Sequence, residues 1–394
     1  MSTPEIGRHS PRRIDPKESF APLYVVWELT LKCDLACRHC GSRAGKARQA
    51  ELSMDEARDV VAQLAELGTR ELAFIGGEAY LYPEWLTIVS AARDAGIRPT
   101  MTSGARALDA EMCQRAADAG LEAISVSVDG LQETHDTLRA VKGSYLACID
   151  ALGHIRAAGM QPFANTQINR LNLHELPELT DVLQDAGILC WQVQLTGPMG
   201  RAADRPEWLL QPYEMLEAFE VVGPLAKAMT ERGVVVNAGN NLGYYGPYEK
   251  WIRREPYGGC AAGRHVLGIE ANGDIKGCPS LPSGPYVGAN LRDHDLATIW
   301  RENSRVAFAR DRGTTELWGR CKGCYYAQVC KGGCSWTAHA ALGKRGNMPW
   351  CHHRAIQAKK EGRRERLELT QAAPGDPFDF AQFKLIEEDW PSQG

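Results

Sequence analysis

Ten of the thirteen cysteines fall into two groups, and their spacing is the first chemical signal in the chain. Cys33, Cys37 and Cys40 stand as C-x3-C-x2-C, three thiols within eight residues. Tetrahedral zinc wants four ligands, usually from paired CxxC, and a thiol redox pair wants a single CxxC. Three thiolates suit an iron–sulfur cube instead, with one iron left free to coordinate a small molecule. The second group is Cys260, Cys278, Cys321, Cys324, Cys330, Cys334 and Cys351, seven thiols in 92 residues, with x5 and x3 intervals that zinc ribbons do not use. Glycines crowd there and periodicity is lost, as expected where metal centres replace a hydrophobic core. Cys113, Cys148 and Cys190 sit inside helix or strand patterns and read as small core residues.

Such ligands need a rigid frame, and the first 200 residues supply a repeating one. Six apolar strands are expected at Tyr24–Thr30, Glu71–Ile75, Ile97–Thr102, Ala123–Val128, Pro162–Ile168 and Trp191–Leu195, each rich in residues that favour strands. Amphipathic helices fall between them, stopped by Gly68, Gly96, Gly120, Gly159 and Gly187. Ser53-Met54-Asp55-Glu56 has the form of a capping box opening the first helix. Alternating βα units imply a parallel sheet. Six repeats fall short of a closed eightfold barrel. The fold class is therefore α/β, a partial (βα)6 TIM-like barrel followed by an irregular cysteine-rich domain. The boundaries are 1–21 for an N-terminal extension, 22–200 for the barrel, 201–259 for a connector, 260–355 for the cysteine-rich domain and 356–394 for a tail. The connector is aromatic (Tyr244, Tyr245, Tyr248, Trp251, Tyr257), which suits packing between domains. The tail opens with a basic helical run, 359–366, expected on a solvated face.

Composition narrows the function classes. At 394 residues, 44% hydrophobic and 24% charged, the chain can bury large cores. Lys plus Arg number 45 against 49 Asp plus Glu, so no global basic field marks a nucleic-acid binder. No apolar stretch is long enough to span a bilayer and no secretory h-region opens the chain, so a cytoplasmic protein without membrane contact is expected.

The C-x3-C-x2-C triplet after the first strand of a βα barrel resembles the signature of radical S-adenosylmethionine enzymes. That resemblance implies a [4Fe-4S] cluster on Cys33, Cys37 and Cys40 whose open iron binds the amino and carboxylate groups of S-adenosylmethionine. Gly76-Gly77-Glu78 resembles the family's GGE motif, which holds the methionine amine, although Ala79 stands where Pro is usual. Thr102-Ser103-Gly104, Ser127 and Asp129 resemble its polar contacts to ribose and methionine, and Arg139 the arginine that pairs with the methionine carboxylate. Pro198-Met199-Gly200-Arg201 resembles a stretch found near the adenine. The second cysteine group resembles a seven-cysteine SPASM domain with two auxiliary clusters, a distal one on Cys321, Cys324, Cys330 and Cys351 and a proximal one on Cys260, Cys278 and Cys334. Three clusters are thus implied. The proximal cluster lacks a fourth cysteine, leaving an open iron or a non-cysteine ligand.

Barrel plus SPASM implies an enzyme that oxidatively modifies a ribosomally made peptide or protein side chain, forming a crosslink, a thioether or a related product. Pro279 after Cys278, where sulfatase-maturing relatives carry Asp, disfavours formylglycine formation. Trp27-Glu28-Leu29-Thr30 also resembles members acting on haem precursors, so small-molecule cofactor biosynthesis is the alternative. An electron carrier alone leaves Gly76–Glu78 and Arg139 without purpose. The implied partners are the peptide or protein substrate and a low-potential electron donor of flavodoxin or ferredoxin type. With about 22 residues before the first strand, any leader peptide is expected to be recognised by the barrel rim, the connector or a separate protein.

Overall fold

The computed structural model describes residues 20–243, 246–253 and 257–391. Most of the expected N-terminal extension, together with Tyr244 and Tyr245 of the connector, lies outside the described residues.

The six expected strands form within one or two residues of the sequence reading: β1 Tyr24–Thr30, β2 Glu71–Gly76, β3 Arg98–Ser103, β4 Ala123–Ser127, β5 Gln161–Ile168 and β6 Cys190–Leu195. They pair in parallel in chain order. Between them run α1 Met54–Glu66, α2 Trp85–Asp94, α3 Ala110–Ala119, α4 Gln132–Arg139, α5 Ser144–Ala157 and α6 Leu176–Asp185. The capping box is formed, with Ser53 N donating to Glu56 Oε2 at 2.7 Å and Glu56 N to Ser53 Oγ at 3.4 Å. Ile124, Val126, Val128, Ala164, Trp191 and Val193 are wholly buried in the core shared with these helices. Alternation along each strand turns the intervening residues toward the barrel interior.

Three expectations need correction. The segment 201–259 is more than a connector. It holds α7 Met215–Glu231 and β7 Val235–Ala238, which extends the sheet in parallel from β6 and makes a seventh βα unit. Pro224 inside α7 and the shortness of β7, four residues, hid that repeat. The cysteine-rich domain also joins the sheet: β8 Val266–Ile269 pairs in parallel with the other side of β1, and β9 Asp274–Lys276 and β10 Val287–Asn290 follow antiparallel. The sheet runs β10-β9-β8-β1-β2-β3-β4-β5-β6-β7 and stays open. Finally, the basic run 359–366 is helical only to Lys360. Gly362, at φ +69°, ends that helix, and Arg363, Arg364 and Arg366 lie on β11 Arg363–Gln371, a hairpin with β12 Gln382–Asp389. They face Glu387, Glu388 and Asp389 across it as ion pairs.

Candidate active site

The loop after β1 carries Cys33, Cys37 and Cys40, and three neighbouring segments, the end of β2, the stretch after β6 and the tail, fix its course. Gly77 N donates to Thr30 O at 2.8 Å and Glu78 N to Lys32 O at 2.7 Å. A methyl group on Gly77 would stand 2.0 Å from Lys32 O, and one on Gly76 2.2 Å from Thr30 O. These glycines let the end of β2 press against the cysteine loop. Arg201, after β6, donates from its backbone to Cys40 O (2.8 Å) and from its guanidinium to Cys37 O (2.6 Å) and Ala44 O (3.0 Å). Gly200 beside it, at φ +58°, would place a Cβ 2.3 Å from Cys40 O. Arg43 forks onto Asp204 with two bonds of 2.7 Å and reaches Asp379 of the tail at 2.7 Å. Asp379 O accepts from Gly200 N at 2.8 Å, so the tail also closes on the loop. The resemblance pointed to Gly200 and Arg201 but not to this clamp, while Arg43 and Asp379 carry no motif at all.

Inside this frame Glu78 is 1% exposed. Its Oε2 accepts from Gly104 N at 2.9 Å, whereas Oε1 has no partner. Burial pushes its carboxyl up to about 8, and hydrogen bonds from Ser103 and Gly104 only partly offset this. A buried carboxylate oxygen with an unfilled bond is a receptor for an ammonium group. Ser103 Oγ accepts from Ala105 N at 2.8 Å, which orients it beside Glu78. Ser127, at the end of β4, is buried with it. Asp34, one residue past Cys33, accepts from Tyr80 Oη at 2.9 Å.

Arg139 and Asp129, expected among the cofactor contacts, pair with each other in the structure. Asp129 is fully buried and spends its oxygens on the protein: Oδ2 meets Arg139 and His39 Nε2 (2.9 Å), and Oδ1 accepts from Gln167 N at 2.8 Å. Arg139 also donates to Cys37 Sγ at 3.6 Å. Burial opposes the Asp129 charge, yet Arg139 and His39 hold its carboxyl below the usual range. The pair braces the cysteine loop from below, and only Arg139 Nε is left without a partner. His39, inside the cysteine triplet, was the unread signal for this network. Cys148, wholly buried as a core residue, sits under the same group, 3.8 Å from His135 Nε2. Cys113 and Cys190 are likewise buried.

The second cysteine group separates in space into the two expected sets. Cys321, Cys324, Cys330 and Cys351 line one cavity of about 570 Å³. Cys260 lies close enough to raise the thiol pKa of both Cys278 and Cys334, and Cys334 that of Cys278. Burial, then mutual repulsion, pushes Cys278 and Cys330 up to about 12, and burial does the same to Cys33. Thiols crowded at such pKa values stay protonated alone and become thiolates when iron supplies the compensating charge. Among the described residues no three His, Cys, Asp or Glu side chains converge tightly enough for a single ion, whereas thiolates around a four-iron cube stand wider apart. Tyr257, three residues before Cys260, is buried with its hydroxyl unpartnered and lies within the influence of Cys260, Cys330 and Cys334. The donor sets fit iron–sulfur clusters, and Glu78 fits the amine of a bound amino acid.

Comparison with known proteins agrees. The family model of the radical SAM superfamily matches residues 27–183, and that of the SPASM iron–sulfur cluster-binding domain matches 260–325. The chain is similar to an AdoMet-dependent heme synthase of Methanosarcina barkeri, 28% identical over 350 residues, 85% of this chain and 97% of that one. It is also similar to the mycofactocin maturase MftC of Mycobacterium tuberculosis, 27% identical over 322 residues, 80% of this chain and 78% of that one. Among solved structures, Streptococcus suis SuiB bound to S-adenosylmethionine aligns with a TM-score of 0.65 at 20% identity, over 81% of this chain and 74% of that one. An anSMEcpe structure with bound AdoMet and the Cp18Cys peptide gives 0.68 at 14%, over 85% and 95%. At those identities the structural likeness shows the fold. Among the described residues no helix is long and apolar enough to cross a membrane. With a C-x3-C-x2-C loop and a GGE carboxylate at the barrel mouth, and family models that match the barrel and the first part of the cysteine-rich domain, the chain belongs to the radical S-adenosylmethionine superfamily and is an enzyme with a C-terminal SPASM domain.

Proposed function

We propose that the enzyme oxidatively modifies a peptide or protein side chain. The observation that carries this reading is the interior wall of the barrel. Strand register sets Ser127, Asn165, Gln192 and Asn237 in one row across β4 to β7, and Gln167 and Gln194 in the next. Asn165 is buried with its Oδ1 unpartnered. β4 to β7 carry no Lys, Arg, Asp or Glu. A neutral wall of amides and hydroxyls matches the donors and acceptors of a peptide backbone. A haem precursor, with several carboxylates, calls for cations that this wall does not offer.

In this reading Cys33, Cys37 and Cys40 hold the radical cluster. Cys321, Cys324, Cys330 and Cys351 hold the distal auxiliary cluster, and Cys260, Cys278 and Cys334 the proximal one. When bound, S-adenosylmethionine and the clusters supply a 5′-deoxyadenosyl radical for hydrogen abstraction and an acceptor for the electron that substrate oxidation releases. Glu78 receives the methionine ammonium, and Ser103 with Gly104 keeps its carboxylate in place. Gly76 and Gly77 seat the motif against the cysteine loop. Asp129 and Arg139 position Cys37, and Ser127 faces the substrate space. Burial of Glu78, Ser103 and Asp129 keeps water from the reacting centre.

The test is anaerobic turnover of the reconstituted protein with S-adenosylmethionine, a reductant and a peptide encoded beside its gene. Peptide that loses two hydrogens in step with 5′-deoxyadenosine release supports the reading. Turnover of an iron porphyrin carboxylate instead, with carbon dioxide released, supports the second reading, which the heme synthase relatives favour.

A further inference from the structure

From residue 317 to 360, around the distal cysteines, the chain has eight Lys and Arg and not one Asp or Glu, although acidic residues outnumber basic ones over its whole length. The arginines are neutralised from outside the segment. Arg320 meets Glu361 at 2.7 Å and Glu387 at 2.9 Å, Arg345 meets Glu316 at 3.5 Å, and Arg354 is paired with Glu365. Lys322 and Lys331 have no acidic partner among the described residues. They flank Tyr325 and Val329, which are 88% and 51% exposed, two of the five large apolar side chains that the described residues leave in solvent. Tyr325 packs edge-on against Tyr326 (5.0 Å), and Tyr326 against His353 (4.9 Å), so the patch is ordered by aromatic contacts. Tyr325, Tyr326 and His353 also line the cavity of the four distal cysteines.

We propose that this apolar patch with its lysine rim is the docking surface for an acidic one-electron carrier protein, of flavin or iron–sulfur type. The proposal rests on the reading that a cluster occupies the distal cysteines. Substrate oxidation by hydrogen abstraction leaves one electron beyond the hydrogen atom removed. Each turnover takes one electron in to cleave S-adenosylmethionine and releases one on substrate oxidation. When the incoming electron comes from outside, the released one leaves to an external acceptor. All four cysteines of this cavity are half-buried, whereas each of the other two sets has a buried member, Cys37 or Cys334. One electron passes outward: the distal cluster is oxidised by one unit and the carrier reduced by one. An apolar centre gives contact without a desolvated charge, while a lysine rim steers an acidic partner and fixes its orientation. A substrate peptide or a second copy of this chain is the competing occupant.

The experiment mixes the reduced, fully reconstituted protein with an oxidised acidic flavodoxin and follows semiquinone formation by stopped flow at several salt concentrations. The wild-type rate is expected to fall with added salt. Lys322→Glu with Lys331→Glu is expected to slow it at least roughly tenfold at low salt and to flatten the salt dependence. Tyr325→Ser with Val329→Ser is expected to weaken saturation by flavodoxin at every salt concentration. Iron content and electron exchange with a small neutral quinone should be unchanged in both, which separates lost docking from a lost cluster. A carrier rate that ignores the charge reversal overturns the proposal. So does a patch variant that loses self-association or peptide binding while exchanging electrons normally. Should Cys324→Ala with Cys330→Ala leave iron content and quinone exchange intact, the reading of the distal cysteines fails, and the proposal with it.

Discussion

Glu78 shows how much one side chain can be asked to do. It is buried, bonded on one oxygen and open on the other, a state that costs free energy until a cation arrives. Charge-assisted hydrogen bonds are worth about 1.5 to 3 kcal/mol. Glu78→Gln should therefore weaken S-adenosylmethionine binding roughly ten- to a hundredfold with the iron content unchanged, as measured by equilibrium binding. Asp129 and Arg139 call for a different expectation, because both are buried and each neutralises the other. Breaking such a pair costs about 3 to 5 kcal/mol, since a lone charge is left inside. Arg139→Ala should lower denaturant stability by about that amount, and the double variant Arg139→Leu, Asp129→Leu should lower it by less than the two single changes added together. An additive result would mean that the pair is not coupled as described.

At the scale of elements, the cysteine loop is shaped by contacts between backbones rather than by its own side chains. Gly77→Ala forces a methyl into Lys32 O and should displace the loop, lowering the iron held by Cys33, Cys37 and Cys40. Gly153→Ala, mid-helix in α5 with open space around its Cα, should instead stabilise the fold by about 0.5 to 1 kcal/mol. Chemical denaturation and iron analysis of the two variants check this contrast. The capping box of α1 is tied to the second domain as well, through Glu56 and Arg292 at 2.5 Å. The Arg292 guanidinium beside it holds the Glu56 carboxyl down at about 2, below its ordinary 4.5. A depressed folded-state pKa gives stability that is present above about 4.5 and lost as pH falls toward about 2. The pair is partly exposed, so its worth is under about 1 kcal/mol. Arg292→Ala should destabilise the protein slightly at neutral pH, and the difference should narrow as the solution is acidified below pH 4.5.

Over the whole molecule, one sheet carries both chemical centres. β1 leads into the first cysteine loop and pairs with β2 on one side and β8 on the other, and β8 and β9 lie between Cys260 and Cys278. The barrel and the auxiliary domain are thus held in register by backbone hydrogen bonds along a shared strand. The tail completes the arrangement: Phe378 lies over Lys276 (4.3 Å) and Arg48 (5.1 Å), and Asp379 holds Arg43. Full reconstitution should give about twelve irons per chain, and changing the Cys321, Cys324, Cys330 and Cys351 set to Ala should leave about eight. Iron analysis giving stoichiometric zinc would refute the cluster assignment.

What the chain determined on its own were the features that depend on neighbours in sequence. The six parallel strands and the α1 capping box follow from local periodicity and caps, and the structure reproduces them. The division of ten cysteines into three sets came from the family resemblance, and the fold brings the same sets together. Features made by distant contacts were not legible. The clamp of Arg43 between Asp204 and Asp379 joins residues 161 and 336 positions apart, and no local pattern encodes such a pair. Arg139 carried a resemblance to an arginine that pairs with the methionine carboxylate, whereas its contacts with Asp129 and Cys37 come from the packing of α4 under the cysteine loop. β7 and the pairing of β8 with β1 were missed because short strands of four residues carry too little alternation to stand out. Local propensity fixes which segments become strands and helices, whereas burial decides which charges must find each other once those segments pack.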